Sequence, residues 1–459
     1  MPDTVRNTAE SARLPVRTPL PDRPMGLIES YRTARRNLLE IIPRRALFQP
    51  VLSGRTGPQR WHMLMDPAGI RRVLLEAVED YPKSVATRAV LKPAIGDSLF
   101  LAEGEEWRWQ RRAAAPAFSA RSVDALTPVM TRAAEAAATR LDASVGRAAD
   151  MVAEMTAAAF DVIADVTFSD GKGIDRAGVV SALESYIDEA ARMSLLDVLG
   201  VPASVPRPAR ALAARRLGAM QAEADAAIAR RQAAGPGAGR DLLDRLIAAE
   251  DPETGRRMDA DTLRETLLTF IVAGHETTAL SLSWALYLCA FDTTTQDLAR
   301  AEAQAILGDR AAGAADVPAL PMTRAIVEEA LRLYPPGAFL SRTARRSDRL
   351  GAAMIHPGDT VMIPVWALHR HRRLWENPDA FDPSRWLGET RPERWRYLPF
   401  GDGPRICIGM RFALQEATVI LATLLARFHL APVPGREPKP VMILTTRPEG
   451  GVWLEVSRA

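Results

Sequence analysis

From Arg121 to about Ala233 the chain is dense in alanine and leucine at three- and four-residue spacing, which predicts helices with one proline-rich break at Val201–Arg210. A second helical run follows Cys407, where Ala413, Ala417, Ile420, Leu421, Leu424, Leu425 and Phe428 recur on one face. Strand-like runs are short: Asp359–Val365, Val441–Thr446 and Gly451–Val456, the last two separated by a Pro-Glu-Gly-Gly turn. Glycine, proline and charge cluster at Arg230–Arg240 and Glu250–Asp259, which predicts loops. No internal repeat is visible, and the pattern predicts a mainly α fold with small peripheral β-sheets.

The longest apolar stretch, Leu267–Phe291, is long enough to cross a membrane. Its centre argues against that, because Gly274, His275, Glu276, Thr277 and Thr278 cluster there without basic flanks. A helix that is apolar nearly all round otherwise belongs in the middle of a large domain. Polar and flexible residues at its midpoint then mark a site.

Composition adds limits rather than a function. Apolar residues make up 47% of the 459 and charged residues 25%, the profile of a globular protein. A net charge of +3 and the absence of lysine-rich runs leave nucleic acid binding without support. Only four of the 59 basic residues are lysines, a bias to which no function is assigned. Residues 1–24 are polar, carry five prolines and lack an apolar core, so they read as a flexible tail with neither signal peptide nor membrane anchor. Residues 25–459 are expected to form a single catalytic domain. Two cysteines cannot build a disulfide framework, and a reducing, cytoplasmic location is expected.

The stretch FGDGPRICIG, Phe400 to Gly409, places Cys407 at the start of the predicted helix. Backbone N–H groups and the helix dipole favour a thiolate there, and Gly401, Gly403 and Gly409 let the chain fold tightly around a bulky partner. Such a thiolate binds metal or attacks a substrate. A solitary cysteine ligand suits haem iron, whose porphyrin supplies four of the remaining donors. Cys289, in apolar surroundings at the end of the long helix, reads as core.

With Phe400, Gly403, Arg405, Cys407 and Gly409 filling every position of Phe-x-x-Gly-x-Arg-x-Cys-x-Gly, the chain resembles the cytochrome P-450 family of haem-thiolate monooxygenases over nearly its whole length. The resemblance implies that haem b lies between the long central helix and the helix after the cysteine loop. It makes Cys407 the axial iron ligand, packs Phe400 near the sulfur and aims Arg405 at a haem propionate. Glu329 and Arg332 match the family's Glu-x-x-Arg pair, 78 residues ahead of Cys407, and FDPSRW supplies Arg385. Positions three apart share a helix face, so Glu329 can hold Arg332 while Arg385 joins from a loop, and the resemblance implies that this buried charge network braces the cysteine loop. Trp107 and Arg111, four apart, resemble the Trp-x-x-x-Arg helix that reaches a propionate, and Arg342 stands where the family has another such arginine, with Arg345 and Arg346 close by.

AGHETT, Ala273 to Thr278, matches the distal pattern that adjoins the cofactor. Splitting dioxygen consumes two protons, which a buried acid beside a hydroxyl can relay, so Glu276 and Thr277 are the expected pair. Gly274 and Thr278 are expected to loosen the helix, and His275 to be a hydrogen-bonded core or channel histidine. The implied reaction inserts one atom of O2 into an apolar molecule, a fatty acid, terpenoid or aromatic. A peroxide-driven peroxygenase or an isomerase is the alternative within the fold, and a haem sensor or electron carrier the alternative outside enzymes.

No flavin, nicotinamide or iron-sulfur segment is present, so electrons are expected from a ferredoxin and its reductase, or a flavodoxin-type donor. Arg108, Arg112 and Arg411 either form a docking patch for that donor or are a solvated face. By resemblance, pocket walls come from Val90–Leu99, Leu195–Val201, Ala273, Ala338, Phe339, Leu340 and Ile443–Thr445 with Leu444 at its centre.

Overall fold

The protein is described by a computed structural model covering residues 14–168, 205, 208–235, 241–388 and 391–459. The long apolar run becomes a single helix, Ala260–Phe291, started by Asp259, whose side chain accepts the Thr262 N–H at 2.8 Å. Helices Met151–Phe168, Pro321–Leu333 and Met410–Arg427 all pack on it. Most of this central helix is buried, including Leu267, Leu282, Trp284 and Leu288. Because its apolar surface is spent on neighbouring helices, it needs no lipid. No helix among the described residues is long and apolar enough to cross a membrane.

The alanine-rich region resolves into helices Ala120–Asp142, Met151–Phe168 and Pro208–Ala234. A short strand, Ala148–Asp150, interrupts it where no break was expected, because its backbone pairs with the C-terminal strand. Of the expected pocket walls, Leu195–Val201 lies outside the described residues, apart from which the walls can be located.

Eleven short strands form four small sheets among the described residues. β1 (Val51–Thr56), β2 (Gln59–Leu64), β7 (Thr360–Pro364) and β4 (Phe339–Thr343) make the largest, with β2 parallel to β7 and the other pairs antiparallel. β5 (Asp348–Leu350) and β6 (Ala353–Ile355) form a ribbon. β11 (Trp453–Arg458) lies between β3 (Ala148–Asp150) and β8 (Phe428–Pro432). The two C-terminal strand-like runs do not pair with each other. β9 (Lys439–Met442) instead pairs with β10 (Thr446–Glu449), which takes in Pro448 and Glu449 of the expected turn.

Residues 14–20, placed in a flexible tail by composition, lie against the core. The Val16 N–H donates to the Tyr287 hydroxyl at 3.0 Å, the Tyr334 hydroxyl donates to Val16 O at 2.8 Å, and Thr18 Oγ1 donates to Pro440 O at 2.9 Å. Proline removes donors from this segment, so the few that remain are spent on long-range partners.

Candidate functional site

The cysteine loop is shaped by its own backbone. The Cys407 N–H donates to Phe400 O at 2.9 Å, which closes the loop, and the helix begins three residues later at Met410. Gly403, at φ +74°, is required by a close approach: a Cβ there would stand 2.1 Å from the Leu74 carbonyl oxygen. Its role is therefore to dock the loop on the chain near Leu74. Cys407 keeps solvent-accessible surface even though protein atoms crowd its sulfur, whereas Cys289 is fully buried and its thiol pushed up to about 12 by burial.

Burial also pushes the Cys407 thiol up, against the thiolate expected from the helix start. The N–H groups of Gly409 and Met410, together with Arg111 and Lys83, pull it back down. All four would favour a metal-bound thiolate.

Around the cysteine loop, positive charge exceeds negative. Arg342 is 5% exposed, its side chain makes one hydrogen bond among the described residues, to Ser341 O at 3.0 Å, and it is pushed down to about 10 by burial and by Arg405. Arg111 has no hydrogen bond or ion pair among the described residues, and burial lowers it. Arg405 donates to Ala102 O at 2.8 Å and stacks 4.6 Å from the centre of the Trp107 ring. Lys83, which the sequence did not single out, bridges to Arg342 through the backbone, sits 3.9 Å over Phe100, and is pushed far down by burial, Arg342 and Arg405.

The nearby acid is spoken for: Glu103 accepts from the Lys83 N–H and from Arg345 Nη2 at 2.8 Å. Arg345 and Arg346, the latter paired with Asp80, are both exposed, which separates them from Arg342. Desolvated cations without acids are unstable unless an anion joins them. Such a rim, facing an accessible thiol, fits a flat group that carries two carboxylates and an iron, as haem b does.

Facing outward from the central helix, Ala273, Gly274 and Thr277 are accessible, while His275, Glu276 and Thr278 are buried. The helix stays α-helical through Gly274 and Thr278, contrary to the expected loosening. Thr277 Oγ1 instead donates back to Ala273 O at 2.7 Å, a side-chain bond that spares the backbone ladder. His275 is a core histidine, Nδ1 3.3 Å from Ile271 O and its ring edge-on to Phe160, and burial keeps its pKa down.

Glu276 is buried, and its carboxylate is already engaged. Its Oε1 accepts from Thr445 Oγ1 at 2.6 Å and pairs with Arg447 Nε at 2.7 Å. Both partners lie at the β9–β10 turn, and neither was visible as a partner in the sequence. Just before Thr445, Ile443 and Leu444 are partly buried and, like Val90 and Val272, pack against one apolar cluster, while Val272 also packs against the main core. Phe339 and Leu340 are half-buried, whereas Ala338 is fully buried and its carbonyl accepts the Trp366 N–H at 3.3 Å, which makes it core.

Behind the cysteine loop, Glu329 and Arg332 are wholly buried and paired twice, at 2.8 and 2.7 Å. Arg332 also donates to the carbonyls of His369, Pro378 and Ala380. Glu329 accepts in addition from the Asp382 N–H and from Trp386 Nε1, with Arg385 Nε 3.4 Å away. His369, missed by the sequence reading, links this network to the loop: Nδ1–H donates to Arg332 O and Nε2 accepts the Leu398 N–H at 2.8 Å. Burial, with Arg332 and Arg370 nearby, holds its pKa far below the usual value, so both bonds are those of a neutral ring.

The supposed docking arginines are all tied internally. Arg108 pairs with Glu79 and Glu105, Arg112 with Asp251, Glu105 and Glu253, and Arg411 lies 3.8 Å from Asp124. Each positive charge is answered by acids on the same surface, so these three form no uncompensated patch.

Comparison with known proteins agrees with the site. The chain matches the family model for cytochrome P-450 over residues 21–454. It is 35% identical over 399 residues to cyclooctatin synthase of Streptomyces melanosporofaciens, covering 86% of each chain. It is 33% identical to cyclooctat-9-en-7-ol 5-monooxygenase of the same organism, covering 83% of this chain and 82% of the relative. Cytokinin hydroxylase of Arabidopsis thaliana is 31% identical over 79% of this chain and 72% of its own. A crystal structure of the haem domain of cytochrome P-450DA superposes with a TM-score of 0.78 at 27% identity, covering 89% of both chains.

Proposed function

We propose, on the premise that the chain belongs to the cytochrome P-450 family of haem-dependent monooxygenases, that it hydroxylates an apolar, ring-containing small molecule. The observation that carries the substrate class is the set of partly buried apolar side chains Val90, Val272, Ile443 and Leu444, which pack against one apolar cluster, with Val272 on the central helix next to Ala273. An apolar wall with one or two polar groups favours a hydrocarbon skeleton over a sugar or nucleotide. The two Streptomyces relatives, one of them named for an alicyclic alcohol, favour a ring system over a fatty acid or a simple aromatic.

Haem, when bound, supplies the activation of dioxygen, one atom of which enters the substrate while the other leaves as water. Cys407 would hold the iron through Sγ, and the Gly409 and Met410 N–H groups with Arg111 and Lys83 offset part of the burial that disfavours its thiolate. Arg342, Arg111, Arg405 and Lys83 would hold the two propionates, which would supply counter-charge to this rim. Trp107 fixes the Arg405 plane by stacking, and Phe400 closes the loop behind the sulfur through its carbonyl.

Thr277 is accessible on the central helix, and its Oγ1 can pass a proton when it leaves Ala273 O. Glu276, on the other side of the helix, takes protons from the half-exposed Arg447 side, so the carboxylate must turn from Arg447 to serve Thr277. Electrons come from a separate ferredoxin with its reductase, or from a flavodoxin-type donor, docking elsewhere than on Arg108, Arg112 and Arg411.

The test is turnover of the haem-loaded protein with ferredoxin, ferredoxin reductase and NADPH under 18O2, offered alicyclic, fatty acid and aromatic compounds. One labelled oxygen in an alicyclic product per reductant consumed is expected. Turnover with peroxide alone, or labelled product only from fatty acids, overturns the reading. Thr277→Ala is expected to keep haem while diverting reductant to peroxide.

A further inference from the structure

The segment from Leu14 to Leu20 is bolted to the core at Val16 and Thr18, and beneath it lies a half-open cavity of about 550 Å³. Its walls carry four guanidinium groups, Arg17, Arg44, Arg370 and Arg372, against one carboxylate, Asp379. None of these walls belongs to the thiol site.

Asp379 cannot balance them. Its Oδ2 takes Arg17 at 2.8 Å and Arg372 at 2.5 Å, and its Oδ1 is 3.9 Å from Arg370 Nε. Arg44 reaches only Asp22, an exposed residue at 3.3 Å. Arg370 is the anomaly. It is 3% exposed and lies 3.7 Å over the Trp366 ring, yet Nε and Nη1 have no hydrogen-bond partner.

A buried guanidinium with two idle donors is costly, and native structures satisfy such groups with protein, water or an ion. A neutral ligand could satisfy the donors and leave the charge imbalance. A single water could do the same for one donor. A planar fork beside three more arginines matches a tetrahedral oxyanion, which takes two N–H bonds from one guanidinium and neutralises the rest.

We propose that this cavity binds a phosphate-class oxyanion, gripped by Arg370 and Arg44 with help from Arg17 and Arg372, and that the bound anion pins the N-terminal segment to the core. Burial holds Arg370 down to about 9, the direction expected of a cation short of counter-charge, and an anion would reverse it. The shared chemistry is the oxyanion, whether a free ion or the head of a diphosphate ester.

The haem-loaded full chain, in chloride buffer at constant ionic strength, is titrated with inorganic phosphate and separately with pyrophosphate by calorimetry. Tryptic cleavage after Arg17 and the Soret band are followed in parallel. Saturable binding with at least a tenfold loss of affinity in Arg44→Glu, slower cleavage at Arg17 and an unmoved Soret band are expected. Tighter binding of pyrophosphate assigns the site to diphosphate esters, and equal binding assigns it to the free ion. Arg370→Gln is expected to abolish binding. Should that variant not fold, Arg17→Gln together with Arg44→Glu decides the matter. No saturable heat in the wild type, or equal affinity in Arg44→Glu, overturns the proposal.

Discussion

Two clusters of buried arginine lie on either side of the cysteine loop, and they are finished to different degrees. Around Glu329 and Arg332 every charge is met: two ion-pair bonds, three backbone carbonyls, a tryptophan N–H and a backbone N–H account for both side chains. Around Arg342, Arg111 and Lys83 the cations have burial without acids. Desolvation carries a cost in both places, and what differs is where the compensation comes from. A cluster that compensates itself serves the fold. One that needs an outside anion is assigned here to the cofactor.

The comparison breaks most completely at the residue between the two clusters. Replacing Cys407 with histidine is expected to abolish turnover and to remove the red-shifted Soret band of the reduced carbon monoxide complex. An unchanged band would take the iron away from this loop.

Next in size is Glu329→Gln, which leaves Arg332 charged and buried. It is expected to cost about 3–5 kcal/mol in urea unfolding, the range for breaking a buried pair. A loss below ~1 kcal/mol would mean the carbonyls alone carry Arg332.

Arg342→Gln addresses the other cluster and has the opposite signature. Haem affinity is expected to fall by about tenfold to a hundredfold, the equivalent of one charge-assisted bond of about 1.5–3 kcal/mol. The unfolding midpoint of the haem-free protein is expected to stay level or rise, because an unpaired buried charge has been removed. A lower midpoint in the haem-free protein would make Arg342 a structural residue like Arg332.

The smallest effect is on pH. His369 is neutral when folded because burial and two arginines depress its pKa, whereas the unfolded chain takes up its proton near pH 6.5. Unfolding therefore gains a proton in acid, and stability is whole above pH 6.5 and declines below it. The share from His369 is about 1.4 kcal/mol per pH unit, or about 2 kcal/mol at pH 5. Urea midpoints at pH 7, 6 and 5 should flatten in His369→Gln. An equally steep profile would assign the loss to His275 and His371, whose pKa values burial also lowers.

Short-range pattern was enough to read the mainly α fold, the central helix and the loop from Phe400 to Gly409, because spacing along a helix and around a glycine-rich turn is local. It was also enough for Glu329 and Arg332, three positions apart on one face. The tertiary structure alone decided the partners. It brought Arg447 to Glu276 across 171 positions and His369 Nε2 to the Leu398 N–H across 29. It chose the buried Arg342 over the exposed Arg345 and Arg346, supplied Lys83 to the same rim, and answered Arg108, Arg112 and Arg411 with acids far along the chain. It also drew Pro448 and Glu449 of the expected turn into a strand, since β pairing depends on a neighbouring backbone and not on the residues' own alternation. Sequence spacing reports which side chains share a face, whereas desolvation and charge balance depend on everything that folds against that face.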